Sequence, residues 1–173
     1  IATSKQAKHH LFLTNDNTLH AVGDNECGQL GLGSVESLCN ESNVEKPVII
    51  KKSFNDLIID ITAGMQHTLV LTNNGKVYGC GNNFEYQIGL NLKQNYKELT
   101  PINIMNNKKI CHVNATFATS YFIDINNILY TCGNNYNGLN GINTTQFEGF
   151  KIKPIYSNSI IQFKSIYVGL NRV

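Results

Sequence analysis

The stretch Thr62–Leu90, TAGMQHTLVLTNNGKVYGCGNNFEYQIGL, decides the fold. Two apolar runs of strand length, Leu69-Val70-Leu71 and Val77-Tyr78, flank Asn74-Gly75, and a glycine-rich tail follows. An Asn-Gly pair between short apolar runs is a hairpin signal, because tight hairpin turns require positive φ. The stretch has sister copies on both sides. Aligning Gly23, Gly81 and Gly133 places Leu11-Phe12-Leu13 before Asn15-Asp16-Asn17 and Leu19–Val22. It also places Tyr121-Phe122-Ile123 before Ile125-Asn126-Asn127 and Leu129–Cys132. Asp16-Asn17 and Asn126-Asn127 meet the same turn demand less well than Asn-Gly.

Each glycine is followed by an Asn-rich, Gly-rich segment: Asp24–Gly33, Asn82–Leu90 and Asn134–Ile142. A Pro-led run comes next, Pro47–Ile50, Pro101–Ile104 and Pro154-Ile155-Tyr156. Pro opening a strand suits an outer or edge position. A further apolar run bridges into the next unit: Leu57–Ile61, Lys109–Val113, and Phe163–Val168 at the start of an unfinished fourth copy. No stretch has helical periodicity. Four short strands per unit of ~50 residues define an all-β chain of β-propeller blades, each of four antiparallel strands. The expected repeats run 1–56, 57–108 and 109–162, with the fourth beginning over 163–173. Gly33–Lys46, carrying Glu36, Glu41 and Glu45, reads as a surface loop.

The composition, 42% hydrophobic and 15% charged at net charge +2, is that of a soluble globular chain with few charges. Arg172 is the only arginine, which argues against direct readout of DNA bases. Cys27, Cys39, Cys80, Cys111 and Cys132 are odd in number and contain no CxxC, so free thiols in a reducing, cytoplasmic or nuclear compartment are expected. No apolar run approaches the ~18 residues of a membrane span. The three matches to the N-glycosylation pattern, at Asn40, Asn114 and Asn143, are the chance yield of an Asn-rich chain. The chain opens on Ile1 rather than Met, and a piece of a longer protein is expected.

Candidate chemistry is sparse. His67 stands between a glycine and a strand and is the foremost candidate for catalysis, but a repeat-position His reads better as a hydrogen-bonded strand tie. His9, His10 and His20 have no Cys or carboxylate at ligand spacing, so they define no metal site. Cys80 and Cys132 occupy equivalent places and read as small buried apolar residues rather than nucleophiles. Gly79-Cys80-Gly81 lacks the last glycine and the helix of a dinucleotide fingerprint, and Gly28–Gly33 lacks the Lys of a P-loop. Lys51-Lys52 and Lys108-Lys109 read as solvated pairs. Asp60 and Asp124 have no carboxylate partner for acid–base work. The expectation is no catalytic, cofactor-binding or metal-binding residue.

The residues resemble the RCC1 repeat, the repeat of the regulator of chromosome condensation. Ala63-Gly64-Met65-Gln66-His67-Thr68-Leu69-Val70-Leu71 resembles its first half, and Gly23-Asp24-Asn25-Glu26-Cys27-Gly28-Gln29-Leu30-Gly31-Leu32-Gly33 its second. The copies depart from the pattern at Tyr86 for Gly, at Leu139-Asn140 for Gln-Leu, and at Thr119-Ser120 and Arg172-Val173 for His-Thr. The resemblance implies a seven-bladed propeller of which this chain supplies about three blades. The missing blades are expected in cis, or closure by self-association. It also implies protein partners, exchange of guanine nucleotide on a Ran-type small GTPase, and association with chromatin. The exchange wedge of that family maps onto no stretch here. The loops in which the copies differ, Gly33–Lys46, Asn91–Thr100 and Asn143–Lys153, are the expected contact surface.

Overall fold

The computed structural model describes residues 7–33, 42–50, 54, 56–104, 108–135, 138, 152–155 and 163–166. They form eleven strands in three antiparallel sheets. The first sheet is β1 (His9–Leu13), β2 (Leu19–Asp24) and β3 (Asn43–Ile49). The second is β4 (Ile58–Ala63), β5 (His67–Thr72), β6 (Val77–Asn82) and β7 (Asn95–Ile102). The third is β8 (Ile110–Thr116), β9 (Thr119–Asp124), β10 (Leu129–Gly133) and β11 (Lys153–Pro154). Each sheet is a simple meander in chain order, the expected blade. The first sheet has three strands among the described residues.

The core lies between blades, not within them. β5 is buried at every residue because the second blade has a neighbour on each face. Val70, Cys80 and Leu99 pack with Leu11, Ala21 and Leu30 of the first blade. Leu69, Leu71 and Val77 pack with Val113, Phe122 and Tyr130 of the third. Alternate residues of one strand thus feed two different apolar layers, which follows from the two-residue period of a strand.

The hairpins differ from the simplest reading of Asn-Gly. Thr72 and Lys76 close the loop by Thr72 N–H to Lys76 O (3.0 Å), and Gly75 N–H donates to Thr72 O (2.9 Å). The loop therefore has three residues, with only the last, Gly75, in the left-handed region at φ 83°. The sister loops place Asn17 (φ 65°) and Asn127 (φ 61°) at that point and repeat both hydrogen bonds. One left-handed position suffices, and Asn, which tolerates that conformation, fills it in the two sister loops.

Two boundaries need correction. Asn43–Lys46, Glu45 included, belongs to β3 and not to a loop, and Asn95–Thr100 belongs to β7. Pro47 and Pro101 accordingly lie inside their strands rather than at the start. Both strands are outer edges, where a missing N–H breaks no ladder bond, so the edge assignment stands.

Bulges recur at equivalent places. The ladder slips between Ala21 and Gly23 and between Gly79 and Gly81, and again between Ile58 and Asp60 and between Ile110 and His112. Gly23, Gly81 and Gly133 have φ of 110°, 99° and 105°. A Cβ at each would meet a backbone carbonyl of the preceding strand entry (Lys8, Gln66, Ala118) at 2.4, 2.3 and 2.3 Å. That close approach is why the alignment finds glycine there three times.

Candidate functional site

The residues singled out in the sequence converge on the seams between blades. His67 Nε2 lies 2.9 Å from Ser120 Oγ of the third blade, and His9 Nε2 lies 2.8 Å from Thr68 Oγ1 of the second. Each hydroxyl in turn donates backwards, Thr68 to the Gln29 carbonyl (2.8 Å) and Ser120 to the Gln87 carbonyl. A carbonyl can only accept, so it takes the single hydroxyl proton, and the imidazole must supply the other hydrogen from Nε2. Both rings are therefore neutral Nε2–H tautomers. Their Nδ1 atoms are buried and have no hydrogen-bond partner among the described residues.

Burial holds both rings neutral. It pulls His67 from the ordinary 6.5 to about 3, with the neighbouring His9 a second cause. It pulls His9 to about 4, against a partial opposing effect of the Asp24 charge. His67 and Ser120 have the spacing of a serine–histidine dyad, but the proton runs the other way. A nucleophilic serine gives its proton to the imidazole, whereas Ser120 gives it to Gln87.

Gly64 makes the ring's place. A Cβ on it would sit 2.2 Å from His67 Cε1, 2.4 Å from Nδ1 and 2.6 Å from the Thr116 carbonyl. In the third blade Thr116 and Thr119 take the places of Gly64 and His67, so the bulkier residue occurs where the ring is absent. Thr119 instead bonds within its own blade, Oγ1 to the Asn134 carbonyl at 2.8 Å.

The Gln carbonyls gather further donors. Cys80 Sγ approaches Gln29 O at 3.4 Å and Cys132 Sγ approaches Gln87 O at 3.5 Å. Both thiols are buried, and burial pushes Cys132 far above the usual thiol range, away from the thiolate that nucleophilic chemistry needs. Cys27 and Cys111 are also free, and Cys39 lies outside the described residues. The Asn and Gln side chains of the glycine-rich segments fold those segments on themselves. Asn25 and Asn83 accept from Leu30 N and Ile88 N, and Gln29 and Gln87 accept from Cys27 N and Glu85 N. This drives Leu30 and Ile88, both 0% exposed, into the two inter-blade layers.

Asp124 is the lead residue of the third hairpin loop. It accepts from Asn126 N and Ile128 N at 2.9 Å each and from the Tyr130 hydroxyl at 3.0 Å. Burial, and then the Asp124 carboxylate, push that phenol up to about 12. Asp60 sits at a bulge and accepts from Ile61 N at 2.9 Å, and burial raises its carboxyl above the usual range. His10 points away from His9 on β1, exposed, while His20 pairs across the ladder with Phe12. Lys108 and Lys109 are exposed where β7 connects to β8. Lys51, Lys52, Glu36, Glu41, Asn143–Lys151 and Arg172 lie outside the described residues.

The outer surface differs from blade to blade. Phe84 is 50% and Leu92 59% exposed on the second blade, where Lys93 stands over the Tyr86 ring at 5.2 Å from its centroid. Tyr86 itself has φ 58°, the left-handed place that Gly28 holds at φ 81° in the first blade. The sequence marked Tyr86 as a departure; the backbone kept the glycine conformation despite it.

A fold of propeller blades stitched by repeated His–hydroxyl seams defines the class. Models of the regulator of chromosome condensation (RCC1) repeat match residues 16–71, 74–116 and 58–87, more than half of the chain. The chain belongs to the RCC1 repeat family. It is 33% identical over 136 residues to the X-linked retinitis pigmentosa GTPase regulator of Canis lupus familiaris, covering 78% of this chain and 13% of that protein. It is 31% identical over 134 residues to human Protein RCC2, covering 77% of this chain and 24% of that one. The crystal structure of Kap60 bound to yeast RCC1 (Prp20) superposes with a TM-score of 0.78 at 26% identity, covering 88% of this chain and 36% of that chain. The chain thus spans a quarter or less of the length of these two curated relatives.

Proposed function

We propose that this chain is part of a larger RCC1-type propeller, of seven blades in all, that acts as a non-enzymatic scaffold holding protein partners on its loops. One observation carries the reading. The His, Cys, Asn and Gln residues common to the copies are consumed by seams and loop folding. The exposed residues beside them change from blade to blade, as from Glu26 to Phe84. Variable loops on a rigid repeat scaffold are the usual basis of partner choice. Repeat limits near 56, 108 and 162 belong to the same proposal, as does an intracellular site of action, cytoplasmic or nuclear. Affinity capture with the full-length protein, comparing the parent with a variant carrying Phe84→Ser and Leu92→Ser, tests it. A partner set unchanged by the variant, or none, sinks the assignment to this loop face.

A second reading is supported by the GTPase-regulator name of one relative and by the family resemblance: guanine-nucleotide exchange on a Ran-type small GTPase, with chromatin association. Release of labelled GDP from such a GTPase, accelerated by the full-length protein, favours it; an unchanged rate removes it.

A further inference from the structure

Antiparallel strands put the β5–β6 turn and the β7–β8 connection at one end of the second blade, and the β4–β5 and β6–β7 loops at the other. A groove of about 460 Å³ opens at the first of these ends, away from Phe84. Its apolar lining is Val77, Ile102 and Ile104, and its cations are Lys76, Lys108 and Lys109. Among the described residues Asp56 makes one ion pair, 3.7 Å from Lys76 Nζ, and it also accepts from Asn74 Nδ2 at 2.7 Å. Lys108 and Lys109 make no ion pair among the described residues and are exposed. The groove's rear wall is fixed by Ile110 N–H donating to Gly75 O at 3.1 Å.

The sister copies show that this rim is not required by the fold. Two of the apolar positions are kept, with Leu19 and Ile50 in the first copy at the ladder places of Val77 and Ile102, while Lys52 stands for Ile104. The rim is not kept. Asp16 and Thr18 stand for Asn74 and Lys76, and Asp56 and Leu57 for Lys108 and Lys109. In the third copy Asn126 and Ile128 stand at the turn. The seam bond beside it is retained throughout, Ile58 N to Asn17 Oδ1 and Phe163 N to Asn127 O. The first copy carries a lysine pair of its own in the same connection, Lys51 and Lys52, but at the places of Asn103 and Ile104, so the positions held by Lys76, Lys108 and Lys109 are all lysine in the second copy alone.

From this we infer that the groove bordered by Lys76, Lys108 and Lys109 is a docking site for an acidic linear peptide of a partner protein. An aliphatic anchor enters over Val77 and Ile102, and flanking carboxylates meet the lysines. An apolar pocket supplies the anchor and the rim charges steer and orient the chain. The volume, within the ~300–1,000 Å³ typical of ligand clefts, accommodates a side chain or two with adjoining backbone. This site is independent of the loop face proposed above.

The test uses the full-length protein and three labelled peptides followed by fluorescence anisotropy: a Glu-rich peptide with one central Leu, the same with Ser for Leu, and the same with Lys for Glu. The first binds and the other two bind at least about tenfold more weakly. Raising salt from about 50 to about 300 mM weakens the first peptide several-fold. The double variant Lys108→Glu, Lys109→Glu loses it by about tenfold or more while melting at the parent temperature, since both side chains are exposed. Absence of binding, or binding that ignores the double variant, overturns the proposal. Equal binding by the Ser peptide or by a single-stranded oligonucleotide also overturns it, in favour of a general polyanion surface.

Discussion

The imidazole of His67 donates from Nε2 to the hydroxyl of Ser120, 2.9 Å away across the seam between the second and third blades. The two residues are 53 positions apart in sequence, and both are fully buried. His9 and Thr68, 59 positions apart, repeat the contact one seam earlier. The seam is a relay of fixed direction, from imidazole to hydroxyl to Gln carbonyl.

Cutting the relay at its middle member tests this. In Ser120→Ala, His67 loses its acceptor and the Gln87 carbonyl loses one of two donors, both inside the protein. A buried donor left unmade costs about 1–3 kcal/mol, so the variant should unfold at clearly lower urea with an unchanged m value. Ser120→Thr restores the hydroxyl, as at Thr68, and should recover most of the loss. If Ser120→Ala melts like the parent, the relay does not hold the seam.

The neutral rings give a pH dependence with a definite sign. The folded chain holds His67 at about 3 and His9 at about 4, below the ordinary 6.5. Between pH 6.5 and those values the unfolded chain binds protons that the folded chain refuses. Stability therefore falls as pH falls through this window, and is unaffected by these rings above it. Each ring contributes a slope of about 1.4 kcal/mol per pH unit in the lower part of the window. Urea unfolding at pH 7, 5.5 and 4.5 checks it, with His9→Gln expected to remove about half of the slope. A stability independent of pH over that range rules out buried neutral ties.

The repeat, the hairpins and the edge positions of Pro47 and Pro101 were legible in the sequence because strand periodicity and turn residues are local signals. The relay was only half legible. His67 reads as a tie, but a tie needs a partner, and no local pattern names a hydroxyl in the next copy. The signal was present at long range: Thr68 and Ser120, each following a His position, become partners of the His one copy earlier. In the third and fourth copies both members change together, to Thr119 and Val173. The strand starts at Asn43 and Asn95 were hidden because exposed edge strands carry polar residues like those of loops. Tyr86 was visible as an exception, but its backbone conformation was not, since a folded segment can impose positive φ on a residue that disfavours it.

The Asp124 turn predicts a local effect of another kind. Asp124→Ala removes the acceptor of two backbone N–H groups and the Tyr130 hydroxyl. A loss of about 1–3 kcal/mol is expected in urea unfolding. Asp124→Asn keeps an oxygen for the turn and should lose less. In the same Asn variant the Tyr130 phenol falls from about 12 but stays above 10, because burial is the larger cause of its shift. Ultraviolet titration against a Tyr130→Phe control reads this directly. A return all the way to 10 would assign the shift to the carboxylate alone.

Gly64 and His67 form the sharpest coupled pair. A methyl group on Gly64 would lie 2.2 Å from the His67 ring, which has no space to retreat in a fully buried seam. Gly64→Ala should therefore destabilise the chain by about 1–3 kcal/mol, as overpacking does. Part of that strain is against the ring and part against the Thr116 carbonyl at 2.6 Å, a backbone atom. Replacing His67 with Thr, the residue of the third blade, removes the first part and leaves the second. The effect of Gly64→Ala should thus be smaller in a His67→Thr background than in the parent, by about 0.5 kcal/mol or more. His67→Thr alone loses the seam bond to Ser120, so the single variant supplies the necessary baseline. A double-mutant cycle in urea measures the coupling. Strict additivity would mean that the glycine answers only to the carbonyl, and that the Gly-x-x-His spacing of the repeat has no steric origin.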